Sequence, residues 1–68
     1  MTKARQLLET CASYDEAYSN ALKQANKINS HVCKQFYFDD NSAIEMHFRN
    51  DTIEKVFVFN FNEDKNHD

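Results

Sequence analysis

The side chains with the most chemistry to offer are the cysteines Cys11 and Cys33 and the histidines His31, His47 and His67. Their spacing along the chain does not favour a shared ion. No pair has the C-x-x-C or H-x-x-x-H interval that turns two ligands of one element toward one metal. The expectation from spacing is no metal site, no cofactor and two free thiols. As a nucleophile, Cys33 would need an imidazole within about 3 Å and a third group to orient it. His31, two residues away, shares a face with it only if both lie on a strand. The adjacent carboxylates Asp39-Asp40 read as turn chemistry. No residue is expected to be catalytic, and the chain is expected not to be an enzyme.

A second possible chemistry is base stacking, because Phe36-Tyr37-Phe38 and Phe57-Val58-Phe59-Asn60-Phe61 are concentrated aromatic segments. The basic residues, however, are scattered from Lys3 to Lys65 and the formal net charge is −3. The phenylalanines are also needed as core. A nucleic-acid regulator using Lys34, Tyr37, Arg49 and Lys55 on an open sheet face is the alternative function, behind protein–protein association.

The elements that must position these groups follow from length and composition. With 68 residues, one domain over 1–61 with a polar tail over 62–68 is expected. Gly and Pro are both absent, which excludes glycine-dependent phosphate loops and the sharp turn of a nucleophile elbow. The amino terminus never develops a signal-peptide apolar run, and no stretch approaches the ~20 apolar residues that span a bilayer. A soluble, cytoplasmic chain with no membrane partner is expected.

Residues 3–32 hold nearly all the Ala and Leu, whereas Phe36 to Phe61 hold all six Phe. Ala4, Leu7, Cys11, Tyr14, Tyr18, Ala21, Ala25, Ile28 and Val32 form an apolar stripe at helical period. One long helix over 3–31 or two helices would satisfy it. Ser13-Tyr14-Asp15-Glu16 has the S-x-x-E form of a capping box, in which Ser13 accepts from the third helical N–H and Glu16 reaches back to the cap's own N–H, and so favours a break at Ser13. The second helix then runs from Tyr14 to Asn29 or Ser30, burying Tyr18, Ala21, Leu22, Ala25 and Ile28.

The second half reads as a three-stranded antiparallel meander: Lys34–Phe38, Ser42–Arg49 and Thr52–Phe61. Without glycine, Asn and Asp must take the positive-φ positions in the turns at 39–41 and 50–51. A two-residue loop at Asn50-Asp51 pairs Phe48 with Ile53, Met46 with Lys55 and Ile44 with Phe57; the first turn sets Phe36 opposite Ile44. Strict alternation then gives a core face of Phe36, Phe38, Ile44, Met46, Phe48, Ile53, Phe57 and Phe59. The outer face takes Tyr37, Ala43, Glu45, His47, Arg49, Glu54, Val56 and Val58, with His47 opposite Glu54. The fold class is therefore α+β, with one or two amino-terminal helices on a three-stranded meander.

Val56, Phe57, Val58, Phe59 and Phe61 make the last strand apolar on both faces. As an edge strand it would invite pairing with a second copy or a partner. The competing arrangement places this strand centrally, with Lys34–Phe38 on its other side. The expected function is a protein–protein interaction module, homodimeric through residues 56–61, with Asp15, Glu16, Asp39, Asp40 and Glu45 facing a basic partner surface.

The layout of a helical half followed by Phe36-Tyr37-Phe38-Asp39-Asp40-Asn41-Ser42 and a hairpin resembles small phage-encoded inhibitors of the anti-CRISPR or host-takeover type. The Phe38–Ser42 string FDDNS carries the resemblance. It implies a chain in the host cytoplasm that sterically occludes a larger nucleic-acid-processing enzyme, such as a nuclease or CRISPR-type effector. It transfers no functional residues.

Overall fold

The computed structural model describes residues 1–30 and 33–61; His31, Val32, His67 and the expected tail over 62–68 lie outside the described residues. Two helices, α1 (Lys3–Thr10) and α2 (Tyr14–Gln24), precede four strands: β1 (Asn26–Asn29), β2 (Cys33–Tyr37), β3 (Ser42–Arg49) and β4 (Thr52–Asn60). The strands form one antiparallel sheet in the order β1-β2-β3-β4, with both helices on one face.

The helix break falls at Ser13, whose Oγ accepts from Glu16 N at 3.1 Å. Glu16 returns the contact to Ala12 N at 3.4 Å, one residue before the cap rather than to the cap itself. α2 stops at Gln24, not at Asn29 or Ser30, and Asn26–Asn29 become a fourth strand paired with β2. Asn26 and Asn29 are weak helix formers, and pairing with β2 satisfies backbone groups that a frayed helix end would leave to water. Ile28 is consequently exposed, and so is Leu22.

α1 has no acidic residue in its own first turn. The β2–β3 turn supplies the missing acceptors. Asp40 Oδ2 accepts from Lys3 N at 2.7 Å, Ser42 Oγ accepts from Ala4 N at 3.2 Å, and Thr2 Oγ1 accepts from Arg5 N at 3.3 Å. Asp39 pairs with the Lys3 ammonium. Two carboxylates at a helix amino end also suit its macrodipole. Hydrogen bonds from Ser42, then from the Lys3 backbone, hold the Asp40 carboxyl below the usual aspartate range.

Asn41, Asn50 and Asp51 adopt positive φ, so the turns fall to Asn and Asp as their tolerance of that region requires. The tight β3–β4 hairpin pairs Arg49 with Thr52 and Phe48 with Ile53; His47 then pairs with Lys55, which leaves Glu54 as the extra residue of a bulge. From that point β4 is inverted relative to strict alternation. Met46 faces Val56, Ile44 faces Val58, and Phe57 and Phe59 turn away from the helices. Three expectations are corrected by this one residue: Phe57 and Phe59 leave the core, Val56 and Val58 join it, and His47 opposes Lys55 rather than Glu54. Glu54 instead pairs with Arg49 at 3.5 Å.

The reason lies in Lys55. Without the bulge its ammonium would enter the core opposite Met46. Burying an unpaired ion costs several kcal/mol, whereas two Phe in place of two Val gain at most about 3 kcal/mol.

The core that results is thin. Among the described residues, Phe36, Ile44 and Met46 are the large apolar side chains with no exposure, and Ala4, Ala17 and Ala21 bring the helices close to the sheet. Tyr18 packs edge-on to Phe36 and Phe48 at 5.6 and 5.7 Å between ring centroids.

Two predictions follow from the fold. Deleting Glu54 removes the bulge but leaves every inward and outward assignment in place, so this variant stays folded, with thermal unfolding within about 1 kcal/mol of the parent. Asp40→Ala removes an acceptor of α1 and costs about 1 kcal/mol in urea unfolding at neutral pH.

Candidate functional site

The sheet face away from the helices carries no covering element among the described residues. Its composition can be read along the cross-strand rows. Ile28, Gln35, Glu45 and Phe57 form one row; Asn26, Tyr37, Ala43 and Phe59 form the next; Cys33, His47 and Lys55 form the row on the other side. A polar stripe therefore runs down the middle, with Ile28 at one border and Phe57 and Phe59 at the other.

The polar stripe is a continuous hydrogen-bonded relay. Tyr37 Oη donates to Gln35 Oε1 at 2.8 Å, Gln35 Nε2 donates to Glu45 Oε1 at 2.8 Å, and His47 Nε2 lies 2.6 Å from Glu45 Oε2. A carboxylate only accepts, so Nε2 carries the proton. The hydrogen bond from Gln35, then the one from His47, keeps Glu45 below the usual glutamate range. The His47 ring stands edge-on to Phe57, 5.5 Å between centroids.

Cys33 closes the group from β2. Its register partner is His47. One donor atom from each of Cys33, Glu45 and His47 lies within 4.8 Å of the others. Cys33 is only 9% exposed, with Ser30 Oγ 3.2 Å from its sulfur. Spacing along the chain did not favour a shared ion, but the register brings these three donors together. The members of this cluster meet across two strands, so no fixed interval marks it; Glu45-x-His47, two residues apart on one strand face, was the available signal. Both cysteines are free thiols.

The aromatic border is a ladder. Tyr37 and Phe61 lie 6.4 Å apart at 18° between ring planes, and Phe61 and Phe59 lie 6.3 Å apart at 10°. Phe57, Phe59 and Phe61 are 45%, 42% and 46% exposed. A shallow hollow of about 260 Å³ lies between Gln35, Glu45, Tyr37, Phe59 and Phe61. A larger hollow of about 550 Å³, between the helices and Phe38, is lined by Lys3, Gln6, Asn20 and Gln24 among others, without a histidine, cysteine or carboxylate.

No protein-family model, curated protein or solved structure matches this chain.

The remaining expected site residues divide as follows. Lys34 is not on the open face: its ammonium sits over the Tyr18 and Phe48 rings, 5.2 and 4.9 Å from their centroids, on the helix side. Tyr37 and Lys55 are on the open face, and Arg49 is engaged by Glu54. Of the acidic set, Glu45 alone lies on that face; Asp15 and Glu16 stand in the first turn of α2, and Asp39 and Asp40 close onto α1. β4 is an edge strand, so Val56 to Phe61 occupy an edge, with the valines packed inward and the phenylalanines outward. No helix among the described residues is long and apolar enough to cross a membrane.

The relay makes a prediction about pH. Glu45 has a depressed pKa in the folded chain, so its contribution to stability is complete above the unfolded value of about 4.3 and is lost as pH falls through the lower folded value. The stability difference between the parent and Glu45→Gln, measured by urea unfolding, therefore shrinks as pH falls below the unfolded value of about 4.3. A difference that grows below about pH 4 is the opposite outcome.

Proposed function

We propose that this chain is a non-enzymatic protein-association module that pairs with a second copy of itself through β4 and the adjoining open face of the sheet. The observation that carries this reading is the row of exposed Phe57, Phe59 and Phe61 along β4 and the residue after it, at the edge of the sheet formed by the described residues.

The two edges of the sheet contrast. β1 is four residues long, polar and carries Lys27, the features that blunt an edge against pairing. β4 is nine residues long and has no charge from Val56 to Phe61. Antiparallel β4–β4 pairing about a two-fold axis would continue the sheet and set the phenylalanines of both copies side by side, an isologous contact. The thin core supports the same reading, since each copy would bury apolar area that one copy leaves in water. That the assembled module obstructs a larger nucleic-acid-processing protein is the part of the proposal that rests on the Phe38–Ser42 resemblance.

A second reading has its own observation. The near-parallel Tyr37, Phe61 and Phe59 rings form a platform on which bases could stack. Its electrostatic support is weak, because Lys34 is on the other face and Arg49 is engaged by Glu54.

Light scattering over a dilution series tests the association. The parent is expected to be dimeric at tens of micromolar with a thermal midpoint that rises with concentration, and Phe57→Glu with Phe59→Lys monomeric and folded with a midpoint that does not. A parent that remains monomeric throughout overturns the reading. Titration against single-stranded DNA and RNA decides the second: binding that weakens by about 0.7 log units per phosphate contact for each tenfold rise in salt supports it, and no binding at low salt overturns it.

A further inference from the structure

We propose that Cys33, Glu45 and His47 form a binding site for a divalent transition-metal ion of the zinc type, with the fourth position open to water. The three donor atoms already lie within 4.8 Å of one another. Zinc bonds of about 2.0–2.3 Å set tetrahedral ligands about 3.3–3.8 Å apart, within about 1.5 Å of the separations found here. The 2.6 Å contact between His47 and Glu45 opens as the ion takes the place of their shared proton.

The donor set selects the metal class. Thiolate and imidazole favour zinc and its neighbours over magnesium or calcium, which take oxygen ligands. One thiolate and one carboxylate neutralise a divalent charge. Three protein ligands leave one tetrahedral position for water, whereas closed structural sites have four. Binding releases the Cys33 thiol proton to solvent, and the His47 proton moves from Nε2 to Nδ1 by exchange with water.

The surroundings are already those of a supported ligand set. Gln35 holds Glu45 through Oε1 and leaves Oε2 for the ion; Tyr37 in turn fixes Gln35, and Ser30 Oγ contacts the Cys33 sulfur. A cysteine–histidine–glutamate set could instead serve as nucleophile, base and orienting group. Substrate access argues for the metal: Cys33 is almost covered, and neither Cys33 nor His47 lines the neighbouring hollow. His47 and Glu45 retain partial exposure, enough for an ion to enter from solvent. The proposal is independent of self-association.

The test uses the full reduced chain, stripped with a chelator, and titrates zinc against a chromophoric competitor and cobalt(II) by absorption. One zinc per chain is expected, together with tetrahedral cobalt bands and a sulfur-to-cobalt charge-transfer band. Both signals disappear in Cys33→Ser and in His47→Gln, weaken about 10-fold in Gln35→Ala, and persist in Cys11→Ser and in the double variant His31→Gln, His67→Gln. Should Cys33→Ser fail to fold, amide shifts of the parent on zinc addition decide: changes centred on residues 33, 45 and 47 support the site. The proposal is overturned by absence of zinc binding at micromolar concentrations, by cobalt spectra without sulfur charge transfer, by a charge-transfer band that depends on Cys11, or by amide shifts elsewhere.

Discussion

The extra residue in β4 is the constraint from which the rest of the molecule follows. The hairpin at Asn50-Asp51 fixes Phe48 against Ile53, and without a bulge every second residue after Ile53 would enter the core, beginning with Lys55. Placing Glu54 outside the ladder moves Lys55 to the open face and exchanges the phenylalanines for the valines. A charged residue two positions after a core residue is therefore decisive: the desolvation cost of one ammonium outweighs the apolar area lost by turning two aromatic rings outward. The exposed ladder, the edge-on contact of Phe57 with His47 and the apolar border of the polar stripe all depend on that exchange.

The helices complete the asymmetry. Alanines at their buried positions let α1 and α2 lie close to the sheet but contribute little area, so the covered face is a thin core of Phe36, Ile44 and Met46 with partly buried side chains around it. Nothing equivalent covers the other face among the described residues. There the central rows are polar and mutually hydrogen-bonded, which lets Gln35, Glu45 and His47 remain near solvent without unsatisfied groups. The same asymmetry accounts for the β2–β3 turn. Asp39 and Asp40 look like surface acids in sequence, yet they supply the amino-terminal acceptors that α1 lacks.

Much of this was legible in the residues. The break at Ser13, the asparagine and aspartate turns, the pairing of Phe36 with Ile44 and the α+β class all rest on local signals of known mechanism: a capping box, tolerance of positive φ, and alternation. What failed did so for two physical reasons. Helical periodicity continued through Ile28 although Asn26–Asn29 is a poor helix, because an apolar stripe records position and not propensity; the segment found partners in β2 instead. Alternation failed in β4 because it assumes an unbroken ladder, and the residue that contradicted it, Lys55, already stood on the expected core face.

The cluster of Cys33, Glu45 and His47 shows how a site can be present in a sequence and invisible to interval searches. Fixed spacings such as C-x-x-C describe ligands held by one element. Here one ligand comes from β2 and two from β3, and the quantity that joins them is the register. Counting from Phe36 opposite Ile44, three residues toward the amino end of β2 and three toward the carboxyl end of β3 bring Cys33 opposite His47. Glu45 then shares their face because it is two residues from His47. Cys33 is the first residue of β2, one before the expected start at Lys34, and that one residue puts the thiol on the face. In a small antiparallel sheet, donors should be searched for along cross-strand rows once a hairpin has set the register. The intervals between donors then depend on turn length, and no sequence motif need recur.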